Sequence, residues 1–191
     1  MLRIIICAAV SYLLGCISPS IVISKAMGGD IREKGSGNAG TTNMLRTYGK
    51  KAAAATFLID ILKGCAAAFI GKTFLPGPYA GICVLAVICG HIWPALYGFR
   101  GGKGVATALG SIMTLEPKLC LIVFAAAACV IALTKMVSAG SVLAAVLLPI
   151  LSFFIARSFF PYALLIGLTV LVKHRANIGR ILNGTESKIH F

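Results

Sequence analysis

The sequence predicts an all-α integral membrane protein of seven transmembrane helices, one of them short, with the N-terminus outside and the C-terminus cytoplasmic. Three observations carry that expectation. Of 191 residues, 59% are hydrophobic and 12% charged, with a mean hydropathy of +0.95. The apolar residues come in long blocks, as lipid-facing helices require and a water-soluble core does not. The basic residues are unevenly distributed among the segments between those blocks. Helices are the default spanning element, because open sheet edges and irregular backbone cannot face hydrocarbon. The chain reads as a single polytopic membrane domain, residues 1–191, since no polar stretch is long enough to fold a soluble one.

The first apolar run covers residues 2–23, with Arg3 at its start. Leu14-Gly15-Cys16 hints at a lipoprotein cleavage site. The run nevertheless has the length of a spanning helix and precedes many further apolar segments, so it is read as helix rather than signal peptide. Residues 52–70 and 79–97 supply the next two spans, and residues 119–133, 139–156 and 161–172 supply three more. Residues 105–115 form a shorter run. At 1.5 Å per residue it reaches only ~17 Å, against a hydrocarbon core of ~30 Å.

Charge decides whether that short run crosses. One set of connecting segments carries Lys25, Arg32, Lys34, Arg46, Lys50 and Lys51, then Arg100 and Lys103, then Lys135, and finally Lys173, Arg175, Arg180 and Lys188. The opposite set carries only Arg3, Lys72, Lys118 and Arg157. Basic segments stay in the cytoplasm. An even number of crossings must then separate Lys103 from Lys173, which requires the short run to span and leaves His190 inside.

The 18 Lys and Arg against 5 Asp and Glu give a formal net charge of +13. In a soluble chain this would suggest nucleic acid. Here it is first an orientation signal, and second a means of attracting anionic lipids and phosphorylated substrates. The seven cysteines lie in apolar runs, without a C-x-x-C pair or a histidine cluster. They read as small packing residues, with neither a disulfide framework nor a metal site expected.

Three polar segments fall on the cytoplasmic side. The first, GSGNAGTTNMLR at 35–46, formally contains G-x-G-x-x-G at Gly35, Gly37 and Gly40, with Asp60 twenty residues on. Its flanks are membrane helices and not a βαβ unit, so it is no dinucleotide site. Its physics remains that of an anion cradle: glycines let backbone N–H groups converge, and Ser36, Asn38, Thr41, Thr42 and Asn43 add polar groups ahead of Arg46. The second, FRGGKG at 99–104, lacks the first glycine of a Walker A loop, where Tyr97 stands, and has Gly104 at the metal-binding hydroxyl position. A phosphate loop of Gly101, Gly102, Lys103 and Gly104, opening the short helix, remains sound. The third, HRANIGRILNGTE at 174–186, puts His174 at the membrane interface, Asn177 one helical turn later, and Arg175 and Arg180 alongside.

Two charges fall inside the membrane. Asp60 and Lys63, at i and i+3, share a helix face. Each costs ~2.5–3.5 kcal/mol on insertion scales, so they form a mutual structural pair or line a substrate cavity. Ser141, near the cytoplasmic start of its helix, could reach the same cavity. His91, beside Trp93-Pro94, reads as an interface anchor.

GSGNAGTTN, then GGKG, then HR-x-N-I, with FLIDILKG between the first two, resembles the bacterial acyl-phosphate:glycerol-3-phosphate acyltransferases, the PlsY family. The likeness runs from Asp30-Ile31-Arg32 to the terminal NGTE. The third segment departs mildly, with Ala176 and Gly179 where bulkier polar residues are common. The resemblance implies transfer of a fatty acyl group from acyl phosphate to the 1-hydroxyl of sn-glycerol 3-phosphate, giving lysophosphatidic acid and inorganic phosphate in phospholipid biosynthesis. It implies functional roles for Ser36 and Arg46, glycerol 3-phosphate binding by Gly101, Gly102, Lys103 and Gly104, participation of His174 and Asn177, and a structural Glu186. On residue chemistry, Asn38 joins the catalytic set, and Gly37, Gly40, Thr41, Asn43, Lys63 and Ser141 join the substrate-binding set. The implied location is the bacterial cytoplasmic (inner) membrane, with the active site on the cytoplasmic side. Membrane lipid is the surrounding partner; no cofactor, metal or nucleic acid is expected.

The residue chemistry agrees with that implication. Acyl phosphate is already activated, so the enzyme needs two anion sites, alignment of a hydroxyl with a carbonyl, and a groove for the acyl chain. The proton lost by the hydroxyl passes to His174 or to a substrate phosphate. Two rival readings are a transporter or channel for a phosphorylated solute and an acyltransferase with a thioester donor. A transporter should show internal repeats and paired broken helices; the sequence has no such repeat, and its motifs gather on one face.

Overall fold

The structure, a computed structural model, describes residues 1–189, so the expectation for His190 lies outside the described residues. The described residues fold into helices without a strand: α1 Leu2–Cys16, α2 Pro19–Ala26, α3 Thr41–Phe74, α4 Ala80–Ile92, α5 Val105–Leu115, α6 Pro117–Thr134, α7 Val137–Ile155, α8 Phe160–Lys173 and α9 Arg175–Leu182. They group into two compact units, Met1–Leu115 and the part beginning at Glu116. Five segments are long and apolar enough to cross a membrane: Leu2–Ala26, Thr41–Phe74, Gly77–Tyr97, Pro117–Thr134 and Val137–Ile155. A sixth is added if α8 and α9, bent by 62° at their junction, count as one span; Val105–Leu115 is apolar but shorter.

In the first unit, the apolar run expected as one helix is broken at Ser18-Pro19 into α1 and α2. Pro19 has no N–H to give to the carbonyl of Gly15, its i−4 partner, so that acceptor is stranded at the break. Lys63 supplies the missing donor, with Nζ 3.1 Å from Gly15 O and 2.7 Å from Ile17 O. Broken helices survive in membranes only when such groups are satisfied again.

α3 begins earlier than expected and carries Thr41–Arg46 of the first polar segment as helix. Gly49, at φ 83° and ψ −177°, interrupts it. That conformation is open only to glycine, and it separates the short polar helix from the apolar span.

Helix crossings in this unit run through glycines. A Cβ on Gly15 of α1 would collide with the Val87 carbonyl, and one on Gly90 of α4 with the Tyr12 carbonyl. Gly64 of α3 and Gly110 of α5 meet the Thr107 and Ile61 carbonyls in the same way. Ser111 Oγ bridges that crossing, donating 3.1 Å to Gly64 O and 2.9 Å to Thr107 O. Small residues drive membrane helices together by close backbone approach, since lipid is as apolar as any side chain. Consistently, Leu58, Leu62 and Phe69 of α3 are exposed while Ala67, Ala68 and Gly71 are buried.

The second unit repeats the device. Gly140 of α7 abuts the Ala127 carbonyl of α6, and Gly167 of α8 abuts the Ala145 carbonyl and the Pro149 ring of α7. The chain beyond α9 returns to the α6–α7 turn and to α7: Ile189 N donates to Lys135 O at 2.8 Å, and Ser138 Oγ donates to Glu186 Oε1 at 2.9 Å.

Candidate functional site

The first polar segment is folded around Asn43, the third residue of α3 and 1% exposed. Its Oδ1 accepts the Ser36 N–H at 2.9 Å, and its Nδ2 points to Ile31 O, Lys34 O and Asn38 O at 3.1, 2.9 and 3.1 Å. Both ends of this amide are therefore taken up by the loop itself. Asn43, expected among the anion's ligands, thus shapes the backbone of its own segment. Gly35 and Gly37 sit at φ 56° and 68°, and a Cβ on Gly35 would strike Asn43 Oδ1. Ser36 and Arg46 are exposed, whereas Asn38, Gly40 and Thr41 are half-buried. Gly40 is extended and starts α3, whose first N–H groups lack intrahelical acceptors and suit an anion.

The second segment folds back along the end of α4. Gly101 N donates to Ile92 O at 3.2 Å and Gly102 N to His91 O at 3.1 Å, covering two carbonyls that a helix C-terminus leaves open. Side chains at these positions would collide with those carbonyls or with the His91 ring. Gly101 and Gly102 thus act by close approach, and their amides are used inside the protein. Lys103, half-buried, and Gly104, buried and at φ 84°, lead directly into α5.

These two segments meet. Ala39 O lies so close to Gly102 that a Cβ there would stand 2.7 Å from it. Asp30 and Arg32 clamp the same junction: Arg32 makes an ion pair with Asp30 at 2.6 Å and donates through Nη1 to Tyr97 O at 2.8 Å, just ahead of the glycine loop. The guanidinium holds the Asp30 carboxyl down at about 2, and the carboxylate raises the guanidinium in turn. The sequence reading passed over this clamp; two opposite charges at i and i+2 beside a glycine-rich loop were the available signal.

Beneath the junction lies a buried ionic cluster. Lys63 Nζ is 2.8 Å from Asp60 Oδ1, and His91 Nδ1 is 2.9 Å from Lys63 Nζ and 3.2 Å from Asp60 Oδ1. The three side chains are 2–5% exposed. His91, expected as an interface anchor, is instead the third member of this cluster. Charges inside a membrane are paired, and α4 brings to this pair a partner that sequence spacing could not reveal.

In the second unit, His174 and Asn177 are 3% and 7% exposed. His174 Nδ1 is 2.8 Å from Val170 O. A carbonyl only accepts, so Nδ1 carries a proton and donates it to Val170 O. Asn177 Nδ2 donates to Glu186 Oε1 at 2.8 Å, while Arg180 Nε donates to Oε2 at 2.7 Å. Burial opposes ionisation of Glu186, yet hydrogen bonds from Asn177, Arg180 and Ser138 hold its carboxyl below the ordinary value. Ser141 is buried and donates to Val137 O at 2.9 Å. Among the described residues no group of three or more His, Cys, Asp or Glu could hold a metal ion.

Fold and site together define a class: a multi-pass, all-helical membrane protein that presents cationic, glycine-rich loops suited to phosphate. The glycerol-3-phosphate acyltransferase family model matches residues 5–184. The chain belongs to this family of membrane acyltransferases of phospholipid synthesis. It is 48% identical to a glycerol-3-phosphate acyltransferase of Clostridioides difficile (strain 630), covering 97% of this chain and 95% of the relative. It is 45% identical to one of Thermoanaerobacter sp. (strain X514), with the same coverage. Among solved structures, it matches PlsY (YgiH), an integral membrane glycerol 3-phosphate acyltransferase, in its glycerol 3-phosphate form. The TM-score is 0.92 at 34% identity, over 98% of this chain and 96% of that one. The lysophosphatidic acid form matches with a TM-score of 0.88, at 34% identity over 98% and 95%. The transporter reading is thereby set aside.

Proposed function

We propose that this acyltransferase uses acyl phosphate as donor and the 1-hydroxyl of sn-glycerol 3-phosphate as acceptor, giving lysophosphatidic acid and inorganic phosphate. The observation that carries this reading is the clamped junction of two glycine-rich loops, one leading to Arg46 and the other to Lys103. Both substrates bring a phosphate, and two cation-bearing loops side by side answer that need. The acceptor and product also appear in the descriptions of the two PlsY structures.

In this reading the acceptor hydroxyl attacks the acyl carbon, the bond from that carbon to phosphate oxygen breaks, and phosphate leaves. The hydroxyl proton goes to a substrate phosphate or to His174 Nε2. Ser36, Asn38 and Arg46 orient the donor and stabilise developing charge, while Lys103 and the start of α5 hold the acceptor's phosphate. Gly37, Gly40 and Thr41 present backbone and hydroxyl groups to the anions, and Gly101, Gly102 and Gly104 set the shape of the second loop. Asn43 and Lys63 support the site from behind, through the loop backbone and the α1–α2 break. His174 and Asn177 serve the same reaction, Glu186 fixes Asn177, and Ser141 completes the substrate-binding set. The chain acts as one polytopic domain of seven spans in the bacterial inner membrane, N-terminus outside, with its chemistry on the cytoplasmic side.

The test is to incubate purified protein with radiolabelled glycerol 3-phosphate and either palmitoyl phosphate or palmitoyl-CoA. Product is expected with palmitoyl phosphate alone; turnover of the thioester overturns the donor assignment. A second arm omits glycerol 3-phosphate and measures intact mass. No base sits beside Ser36 in sequence, so a one-step ternary complex is expected. An acyl adduct on Ser36 that glycerol 3-phosphate discharges would replace that mechanism with a covalent one.

A further inference from the structure

The reaction above makes no use of His91, although the structure buries it between α3 and the Gly102 loop. We propose that His91 is a positioning residue for the Lys103 loop, setting the shape of the phosphate site through Gly102. The inference rests on the assignment of that loop to glycerol 3-phosphate. Each ring nitrogen has a separate environment. Nδ1 faces Asp60 Oδ1 at 3.2 Å and Lys63 Nζ at 2.9 Å. Those are the charged groups of α3 packed against it. Nε2 faces Gly102, where a single added methyl would overlap it, and the Ala39 carbonyl comes to the same place. The main chain of His91 also accepts the Gly102 N–H at 3.1 Å.

The ring is therefore fixed on one side by an ion pair and supports, on the other, the point where the two polar loops meet. Lys63 extends the brace to the Gly15 and Ile17 carbonyls at the α1–α2 break. Asp60, Lys63 and Gly102 thus meet at one imidazole, with Ala39 reached through Gly102 and the α1–α2 break through Lys63. A histidine kept only for folding would need the first contact and not the second.

The amides of Asn and Gln separate the two contacts, because Asn places its amide near the position of Nδ1 and Gln near that of Nε2. His91→Asn keeps the tie to Asp60 and loses support at Gly102. It should raise KM for glycerol 3-phosphate about tenfold or more, with KM for palmitoyl phosphate unchanged within about twofold. His91→Gln keeps the loop contact, so its KM for glycerol 3-phosphate should stay within about threefold of the parent while its melting temperature falls. Lys103→Ala serves as the reference arm and should raise the same KM. If Lys103→Ala raises it and His91→Asn does not, the role of His91 is refuted and the loop assignment stands. If Lys103→Ala has no effect, the loop assignment fails and this inference falls with it. Should His91→Asn not fold, His91→Gln decides: a KM raised about tenfold despite its retained Nε2-like amide overturns the proposal.

Discussion

Glu186 shows at the residue scale how one carboxylate can organise a segment. It gathers Ser138 from α7 and Asn177 and Arg180 from α9, and Arg180 alone of these is substantially exposed. Its folded value lies below the ordinary 4.5. Its stabilisation is accordingly present above 4.5 and lost as pH falls through the lower folded value. Glu186→Gln keeps the shape and removes the charge, which should cost about 1–3 kcal/mol near neutral pH. Thermal unfolding of parent and variant across pH checks this: the gap in melting temperature should hold steady above about pH 5 and close below the ordinary carboxylate range. A gap undiminished at about pH 3 would mean that ionisation is not what ties the segment.

The elements meet through glycine, and two glycines should respond differently to the same substitution. Gly64 lies where α3 crosses α5, and an added methyl would strike the Thr107 carbonyl and crowd Ser111. Backbone cannot rotate away as a side chain can, so Gly64→Ala must push the helices apart, at about 1–3 kcal/mol. Gly179 lies within α9 with nothing near a prospective Cβ and no positive φ. Gly179→Ala should leave stability unchanged or raise it by about 0.5–1 kcal/mol, through helix propensity. Melting temperatures of the two variants in one detergent would test the pair. Equal effects would show that the α3–α5 crossing can relax where its geometry says it cannot.

For the whole molecule the testable feature is topology. The described helices supply five long spans, a sixth if α8 and α9 count together, and the short α5. The distribution of Lys and Arg favours seven crossings with the N-terminus outside. Single cysteines in a background lacking the seven native ones test this with an impermeant reagent on intact cells. Positions near Ser36, Lys103 and Lys188 should be protected, and neighbours of Lys72 and Lys118 should react. Opposite labelling at Lys103 and Lys188 would remove α5 from the spans.

Composition and block length alone determined that this is a helical membrane protein, because a bilayer permits little else for such a chain. Order and spacing of GSGNAGTTN, GGKG and HR-x-N-I determined the family, since each motif's chemistry is written in contiguous residues. Helix limits were legible to within a few residues wherever a polar loop bounded an apolar run, as for Val105–Leu115. They were not legible where the cause lay elsewhere in the chain. The break at Pro19 is tolerable only because Lys63, forty-odd residues later, caps its carbonyls. Asn43 reads in sequence as a ligand, whereas its amide bonds the loop's own backbone, since which atoms an amide faces depends on how the loop closes around it. His91 joined Asp60 and Lys63 only when α4 was laid against α3. Local sequence sets which groups are present and which backbone shapes are allowed; which buried proton meets which lone pair is decided by the packing of distant helices.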